Sequence, residues 1–303
     1  MYRNTNRLIT ALTLLLLYTA CITGCSKNEA LPATDTESAL VDIPQTPQGS
    51  LALLTEPTAA RAAGTTYSVS VVYSGRPNGP YEFTEAARDY VFLKFWKGSG
   101  SRISGGMLRT TLLRNILGPD GGTVAEVDVP DAVAYRLSYN LMFASSFDFS
   151  AGGKVGFGLL IGAGHSGGVP SWDGNGGSVR LMWYKGTDGR VCLRPYVYYK
   201  DQPGIYGHDF GKTFPATGSL IRGKWYPVKI FVKSNKGLVA DGRISITIAG
   251  VVVLDRAIRW TTNDLQRQIK KVVFETFRGG IEPYWQSATD GSIYFNNVTW
   301  SAM

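Results

Sequence analysis

The chain has 303 residues, 44% of them hydrophobic, and a formal net charge of +8. This length allows one large domain or two small ones, and it is sufficient for a core that needs no disulfides. The basic residues are dispersed and form no recognised nucleic-acid-binding motif, which argues against nucleic acid as a partner. The positive charge fits either a polyanionic partner or simple colloidal solubility.

The first 25 residues have the pattern of a secretory signal. Arg3 and Arg7 precede an apolar run over 8–20, which is too short for a comfortable membrane span. The following Ile-Thr-Gly-Cys25 resembles a bacterial lipobox, in which the cysteine is lipidated and becomes the new N-terminus. We therefore expect a lipoprotein attached to the bacterial cell envelope, at the outer membrane or cell surface. The alternative is an ordinary cleaved signal in which Cys25 has no role.

Residues 26–65 are rich in Ala, Thr, Pro and Ser without periodicity, which is typical of a flexible tether. From residue 66 to 303, short alternating runs separated by Gly, Asn, Asp and Pro predict strands, and we see no later domain break. The predicted strands are 66–73, 90–96, 107–113, 123–129, 134–143, 154–161, 178–183, 191–199, 224–233, 243–248, 251–255, 271–277 and 291–300.

Only 85–88 and 263–268 have a helical pattern. Many short strands with few helices favour an all-β, antiparallel sandwich. The length favours a jelly roll of the concanavalin A-like kind.

Several kinds of catalytic site have no support in the sequence. Glycoside hydrolysis needs two neighbouring carboxylates, whereas Asp148 and Glu275 are isolated acids flanked by aromatics. The two histidines, His165 and His208, lack metal-ligand spacing, and no acidic calcium loop is present. No Gly-x-Ser-x-Gly elbow occurs. Cys192 lies in an apolar strand and is expected to be a core residue. We expect neither a metal nor a cofactor.

One lysine and two strands downstream of it form the strongest candidate site. Lys154 ends an apolar segment, and Ser178 and Arg180 lie at alternate positions of one predicted strand. Tyr196 and Tyr198 alternate in the same way on the next strand. Because alternate residues of a strand point to one face, these side chains meet if the two faces coincide.

This set of side chains suits β-elimination from a uronic-acid polymer. A cation must neutralise the carboxylate, a base must remove the C5 proton, and an acid must protonate the leaving oxygen. Lysine and tyrosine are protonated at neutral pH, and a neighbouring Arg or Lys lowers the pKa of a phenol. The alternative is structural: tyrosine is common in strands, and Arg180 would form an ion pair on the sheet.

A series of short motifs resembles polysaccharide lyase family 14, the alginate and glucuronan lyases. The motifs are Phe-Asp-Phe-Ser-Ala-Gly-Gly-Lys154, Ser178-Val-Arg180-Leu-Met-Trp, Tyr196-Val-Tyr198-Tyr, Lys224-Trp, Asp241-Gly and Phe274-x-x-Phe-x-Gly-Gly280. They occur in the family's order over about residues 100–303.

The resemblance implies a jelly roll with a cleft lined by the matching residues. It implies catalytic roles for Lys154, Tyr196 and Tyr198, and substrate binding by Ser178 and Arg180. His165 is the one candidate for a histidine that some members use. After Lys154 the chain continues Val-Gly-Phe-Gly-Leu, where the family usually has Leu-Pro-Gly-Leu, so the cleft shape differs.

We therefore expect a lipid-anchored polysaccharide lyase that cleaves an acidic, uronate-containing polysaccharide. Lys154 would bind the carboxylate or act as base, and the two tyrosines would be the proton-transfer pair. Two alternatives remain open. One is a non-catalytic, lectin-like carbohydrate-binding protein that stacks sugars on Trp172, Tyr184 and Tyr206, and the other is a structural surface protein.

Overall fold

The computed structural model describes residues 67–98 and 100–303. The predicted signal peptide, Cys25 and the tether over 26–65 lie outside the described residues. Within the described part, no helix is long and apolar enough to cross a membrane.

The described chain is built almost entirely of strands, with one short helix, α1 (Phe83–Asp89). The strands are β1 (Ser68–Val71), β2 (Gly79–Pro80), β3 (Leu93–Lys97), β4 (Ser101–Ser104), β5 (Met107–Leu112), β6 (Thr123–Ala132), β7 (Ala134–Phe143), β8 (Gly152–Lys154), β9 (Phe157–Gly162), β10 (Gly176–Lys185), β11 (Val191–Tyr198), β12 (Trp225–Lys233), β13 (Gly242–Ile248), β14 (Val251–Ile258), β15 (Ile269–Arg278) and β16 (Gly291–Ala302). Short 3₁₀ turns lie at Gly118–Gly121, Ser171–Asp173, Asp264–Gln266 and Pro283–Trp285.

The strands form two antiparallel sheets. The nine-stranded sheet has the order β14-β13-β12-β7-β16-β5-β4-β2, with β1 also paired to β16. The seven-stranded sheet has the order β11-β10-β8-β15-β6-β3, and β9 pairs with both β10 and β15. Strands β8 and β9 therefore lie one after the other in the same gap between β10 and β15. The predicted all-β antiparallel sandwich is confirmed.

Aromatic side chains fill much of the space between the sheets. Phe157 of the seven-stranded sheet lies 4.5 Å from Phe274 and 5.4 Å from Tyr139, measured between ring centroids. Tyr139 belongs to the nine-stranded sheet, so these rings join the two layers. Buried aromatics contribute large apolar areas and prefer such tilted and edge-to-face contacts. Because successive side chains of a strand point to opposite faces, every second side chain lies on the outer face of its sheet.

Two predicted elements differ from the structure in kind or continuity, beyond shifts of their bounds. The strand predicted over 154–161 is interrupted after Lys154, because Gly156 has a φ of 85° and its N–H donates to the Thr276 hydroxyl. The helix predicted over 263–268 is only the 3₁₀ turn Asp264–Gln266. The Asn263 side chain accepts from the Leu265 N–H and caps the start of this turn, and the chain enters β15 at Ile269, which leaves no room for a longer helix.

Candidate active site

The register of the seven-stranded sheet places the candidate residues on one face. Ser178 lies opposite Tyr198 and Arg180 opposite Tyr196 between β10 and β11. Lys154 of β8 lies opposite Met182 on one side. It lies opposite Phe277 of β15 on the other. Directly opposed residues point to the same face, so the shared face that alternation predicted is present.

Glycine at position 153 allows these strands to approach closely beside the lysine. A Cβ atom there would lie 2.2 Å from the Phe277 carbonyl oxygen and 2.2 Å from the Trp183 ring. No ordinary side chain fits at that distance. The Gly-Gly-Lys sequence therefore brings the Lys154 backbone directly against both neighbouring strands.

The centre of this face is a charge cluster of Lys154, Arg180 and Glu275. One oxygen of Glu275, Oε2, lies 3.2 Å from Lys154 Nζ and 3.3 Å from Arg180 Nε. Lys154 and Glu275 line a cleft of about 850 Å³, whereas Arg180 is buried beside them with 4% of its surface exposed. Two cations thus share one carboxylate at the floor of the cleft.

The environment of Lys154 favours its neutral form more than water does. Burial lowers the pKa of the ammonium, the Glu275 carboxylate raises it, and the Arg180 charge lowers it again, with a net lowering. Its Nζ atom also lies 5.1 Å from the Phe277 ring centroid and 5.8 Å from that of Tyr196. A partly desolvated lysine with a lowered pKa is suited to accept a proton.

The two candidate tyrosines occupy different environments. Tyr196 lines the cleft, and its ring packs against the backbone of Gly207, where a Cβ would come within 2.7 Å. Tyr198 is fully buried, and its hydroxyl accepts from the Gly168 N–H at 3.1 Å. The two hydroxyl oxygens are 3.4 Å apart. Tyr196 therefore faces the cleft, and Tyr198 supports the loop beside it.

The pKa of Tyr196 moves in the direction opposite to the one expected from its charged neighbour. Burial and the interactions with the Tyr198 hydroxyl raise it, and the lowering by Arg180 is smaller. Tyr196 consequently keeps its proton at neutral pH, which suits a proton donor rather than a base.

Ser178 and His165 contact the loop between β9 and β10 instead of the cleft centre. The Ser178 hydroxyl donates to the His165 carbonyl oxygen at 2.6 Å. The His165 ring is largely buried, and its Nε2 lies 3.2 Å from Asp173. The cleft wall is formed by the next residues of this loop, Ser166 and Gly167. Ser178 and His165 are thus joined to each other at this loop and do not line the cleft; their role in substrate binding stays a prediction.

Besides Lys154, a second cation, Arg194, lines the cleft. Arg194 stacks on Tyr184, with 3.6 Å from the guanidinium carbon to the ring centroid, and its Nη1 lies 3.2 Å from Asp209. Tyr206 and Trp285 line the same cleft, whereas Trp172 does not. Of the three aromatics predicted to stack on sugars, Tyr206 lines the cleft, whereas Tyr184 is in contact with Arg194 and does not line it.

Several cleft residues were not selected from the sequence. Met182 and Arg194 lie on the same strand faces as Arg180 and Tyr196, so alternation could have identified them. Glu275 was noted only as an isolated acid. The segment over 281–285, most of it exposed, contributes to one wall and has no periodic signal.

Asp148 is a structural residue of the Phe-Asp-Phe segment. It accepts from the Ser150 N–H and the Ser287 hydroxyl. Although burial raises its pKa, these hydrogen bonds lead to a net lowering. Its neighbours Phe147 and Phe149 pack in an aromatic cluster with Phe143. Most of this motif therefore supports the strand that presents Lys154.

The described residues contain no group of three or more His, Cys, Asp or Glu side chains arranged to hold a metal ion.

Comparison with known families agrees with this arrangement. The sequence profile described as Polysaccharide lyase 14 matches residues 123–298, more than half of the chain. The chain belongs to polysaccharide lyase family 14. The matched range begins with β6 and ends within β16, so it contains every strand residue of the charge cluster.

Solved structures of alginate lyases resemble the chain over most of its length. Alginate lyase Aly36B, as a lysine and tyrosine double variant in complex with alginate tetrasaccharide, is 49% identical with a TM-score of 0.77, covering 78% of this chain and 97% of that one. Alginate lyase vAL-1 from Chlorella virus is 25% identical with a TM-score of 0.56, covering 70% and 92%.

A curated relative is much longer than the region it shares with the chain. Exolysin of Paramecium bursaria Chlorella virus 1 is 29% identical over 167 residues, which is 48% of this chain and 25% of the viral protein. The family 14 chain therefore matches about a quarter of that relative's length.

The positions substituted in the Aly36B complexes have a matching spacing here. The substituted lysine and tyrosine of the tetrasaccharide complex have the same separation along the chain as Lys154 and Tyr196. The lysine and methionine substituted in a trisaccharide complex have the same separation as Lys154 and Met182. All three residues line the cleft of the family 14 chain.

Proposed function

We propose that this protein is a polysaccharide lyase that cleaves a uronate-containing polysaccharide of the alginate type by β-elimination. The observation on which this depends most is the Arg180 guanidinium. It is buried beside the cleft floor, and its Nε and Nη1 have no hydrogen-bond partner among the described residues. Buried donors without partners are costly, and a substrate carboxylate would satisfy them.

The geometry supports a distribution of roles. Neutral Lys154 removes the proton from C5 of the uronate, and the electrons move into the carboxylate to form an enediolate. Arg180 stabilises the added negative charge. The bond between C4 and the glycosidic oxygen then breaks, Tyr196 donates its proton to that oxygen, and a C4–C5 double bond remains. Proton transfer from the Lys154 ammonium to the Tyr196 phenolate restores the starting state.

Ser178, Tyr198 and His165 support this chemistry through the loop between β9 and β10. The Ser178 hydroxyl and the Tyr198 hydroxyl each bond to this loop's backbone. Loss of either bond is expected to shift Ser166 and Gly167, which line the cleft beside Tyr196. We assign them positioning roles, with Tyr196 as the group that faces the reacting oxygen.

A non-catalytic carbohydrate-binding protein is the less favoured alternative. Sugar-binding surfaces without catalysis rely on exposed aromatics and hydrogen-bonding groups, and they have no need for a buried lysine with a lowered pKa. Perturbed ionisable groups inside a cleft are more typical of catalytic sites.

The test is incubation with alginate and, separately, with polyglucuronate while ultraviolet absorbance is recorded. Elimination creates a conjugated double bond that absorbs, and hydrolysis or binding does not. Lys154→Ala should abolish the absorbance increase. Lys271→Ala is the matched control, because this lysine of the same sheet pairs with Glu126 and does not line the cleft. Binding of either polymer without any unsaturated product would favour the non-catalytic alternative.

We propose further that the protein is anchored to the bacterial cell envelope by lipid on Cys25. The support is the Ile-Thr-Gly-Cys25 sequence after an apolar run. Cys25→Ala should leave the precursor unprocessed or release the protein from the membrane fraction. A Cys25→Ala protein that is processed and retained like the wild type would exclude this anchor.

A further inference from the structure

The cleft holds its own carboxylate at the place where a substrate carboxylate is needed. Glu275 Oε2 is within 3.3 Å of both Lys154 Nζ and Arg180 Nε. The other cation that lines the cleft, Arg194, is in contact with Asp209. A polyuronate entering the cleft therefore finds each of these cations already beside an acidic side chain.

Glu275 is more exposed to the cleft than Arg180 is. Glu275 lines the cleft and has 18% of its side chain exposed, whereas the Arg180 side chain has 5% exposed and does not line it. A substrate carboxylate that binds Arg180 Nε therefore has to compete with Glu275 Oε2 for that atom. The strand backbone of β15 does not need to move, because rotation about side-chain bonds is sufficient.

The contacts of Glu275 are close in distance but poorly aligned. Glu275 Oε2 and Arg180 Nε both lack a properly oriented hydrogen bond among the described residues. An aligned, two-pronged arginine–carboxylate pair would be much stronger and more specific than this single misaligned contact. The pair is therefore suited to exchange one carboxylate for another.

We propose that Glu275 is a positioning residue that holds Lys154 and Arg180 in place in the empty cleft, and that the substrate carboxylate displaces it from Arg180. This inference rests on the proposed function. On displacement, Arg180 exchanges the glutamate for the uronate. Glu275 keeps its contact with Lys154 and sets how readily that lysine releases its proton.

The charged and titratable groups around Lys154 come from every element packed against it. They are Glu275 of β15, Arg180 of β10, Arg194 and Tyr196 of β11, and Asp209 and Glu282 of the loops that line the cleft. Among them Glu275 is the acid whose ion pair with Lys154 Nζ is formed. Its neutralisation should therefore act on the lysine directly.

The experiment compares wild type with Glu275→Gln and with Glu126→Gln. Glu126 is the matched control, since it pairs with Lys271 in the same sheet and does not line the cleft. The first measurement is the Lys154 titration by NMR on lysine-labelled protein, with the signal assigned through Lys154→Arg. Glu275→Gln should shift this titration to lower pH, because a neutral amide no longer stabilises the ammonium. Glu126→Gln should not.

The second measurement is binding of D-mannuronate monomer, followed by isothermal titration calorimetry. The monomer has the carboxylate but no glycosidic bond at C4, so it cannot be cleaved. Glu275→Gln should bind it about fivefold more tightly, the effect of removing one unit charge at about 4 Å in water. With polymer, KM should fall, and the rise of activity with pH should move to lower pH together with the Lys154 titration.

The outcomes separate this proposal from the proposed function. Absence of unsaturated product from wild type would refute the lyase activity, yet the titration and the monomer binding would still decide the role of Glu275. Unchanged titration and affinity in Glu275→Gln, or weaker monomer binding, would overturn the proposal. If Glu275→Gln does not fold, Glu275→Asp replaces it. Glu275→Asp should shift the Lys154 titration and the monomer affinity in the same directions as Glu275→Gln, but by smaller amounts. Wild-type values of both in Glu275→Asp would also overturn the proposal.

Discussion

At the residue scale, the two neighbouring tyrosines of β11 test the assignment of the proton donor. Tyr196→Phe keeps the ring and removes the hydroxyl that faces the cleft. We expect kcat to fall by about 10²–10⁴, the usual cost of losing general acid help, with little change in melting temperature. Tyr198→Phe removes the hydroxyl that accepts from Gly168 and should cause a smaller loss. Equal losses in both variants, or full turnover in Tyr196→Phe, would contradict the assignment.

The pH dependence of kcat/KM tests the role of Lys154 as base. Burial, reinforced by Arg180, lowers the pKa of this lysine in spite of Glu275. Activity should therefore rise with pH as the ammonium deprotonates, with a midpoint below the ordinary lysine value of about 10.4. Lys154→Arg should lose the rising limb along with activity, because arginine does not deprotonate. A midpoint at or above the ordinary value would exclude this role.

At the scale of the strands, the packing of β8 against its neighbours should not tolerate a side chain at Gly153. Gly153→Ala places a methyl group against the Phe277 carbonyl and the Trp183 ring, both at 2.2 Å. We expect a loss of about 1–3 kcal/mol in the free energy of unfolding, as for overpacked cores. Gly79→Ala is the control, because its added Cβ has no neighbour within 4 Å. Thermal melts of both variants provide the measurement; equal melting temperatures would show that β8 can shift at no cost.

Strands with alternating apolar residues were predicted more accurately than those without. The bounds predicted for β7, 134–143, are those observed, because alternation continues through Ala134–Phe143. Strand β10 was predicted over 178–183 but spans Gly176–Lys185, since Gly176 and Gly177 pair with β9 and have no side chains to show alternation. The short strand β4, Ser101–Ser104, was missed for a similar reason, because two of its four residues are serines.

At the scale of the whole molecule, we expect the sandwich to fold without the N-terminal segment. The described strands run from Ser68 to Ala302, and β1 completes its pairing with β16 inside this range. Protein lacking residues 1–65 should melt cooperatively, show a β-type circular dichroism spectrum and retain the kcat of the longer protein. An aggregated or helical product would show that the segment takes part in folding.

The all-β fold, the family and the common face of Lys154, Arg180, Tyr196 and Tyr198 could all be predicted from the sequence. These follow from local information, because side-chain alternation and motif order are both properties of neighbouring residues. The assignment of catalytic roles to the individual residues stays a prediction.

Which of these side chains reach the cleft, and which groups surround them, depends on how the strands pair in the folded sheets. Glu275 meets Lys154 and Arg180 because β15, far along the chain, pairs beside β8. Tyr198 lies under a loop that its own strand does not specify. The raised pKa of Tyr196 depends on burial that outweighs the Arg180 charge. Non-local pairing and desolvation have no signal in a local sequence pattern, and therefore they appear only once the strands are assembled.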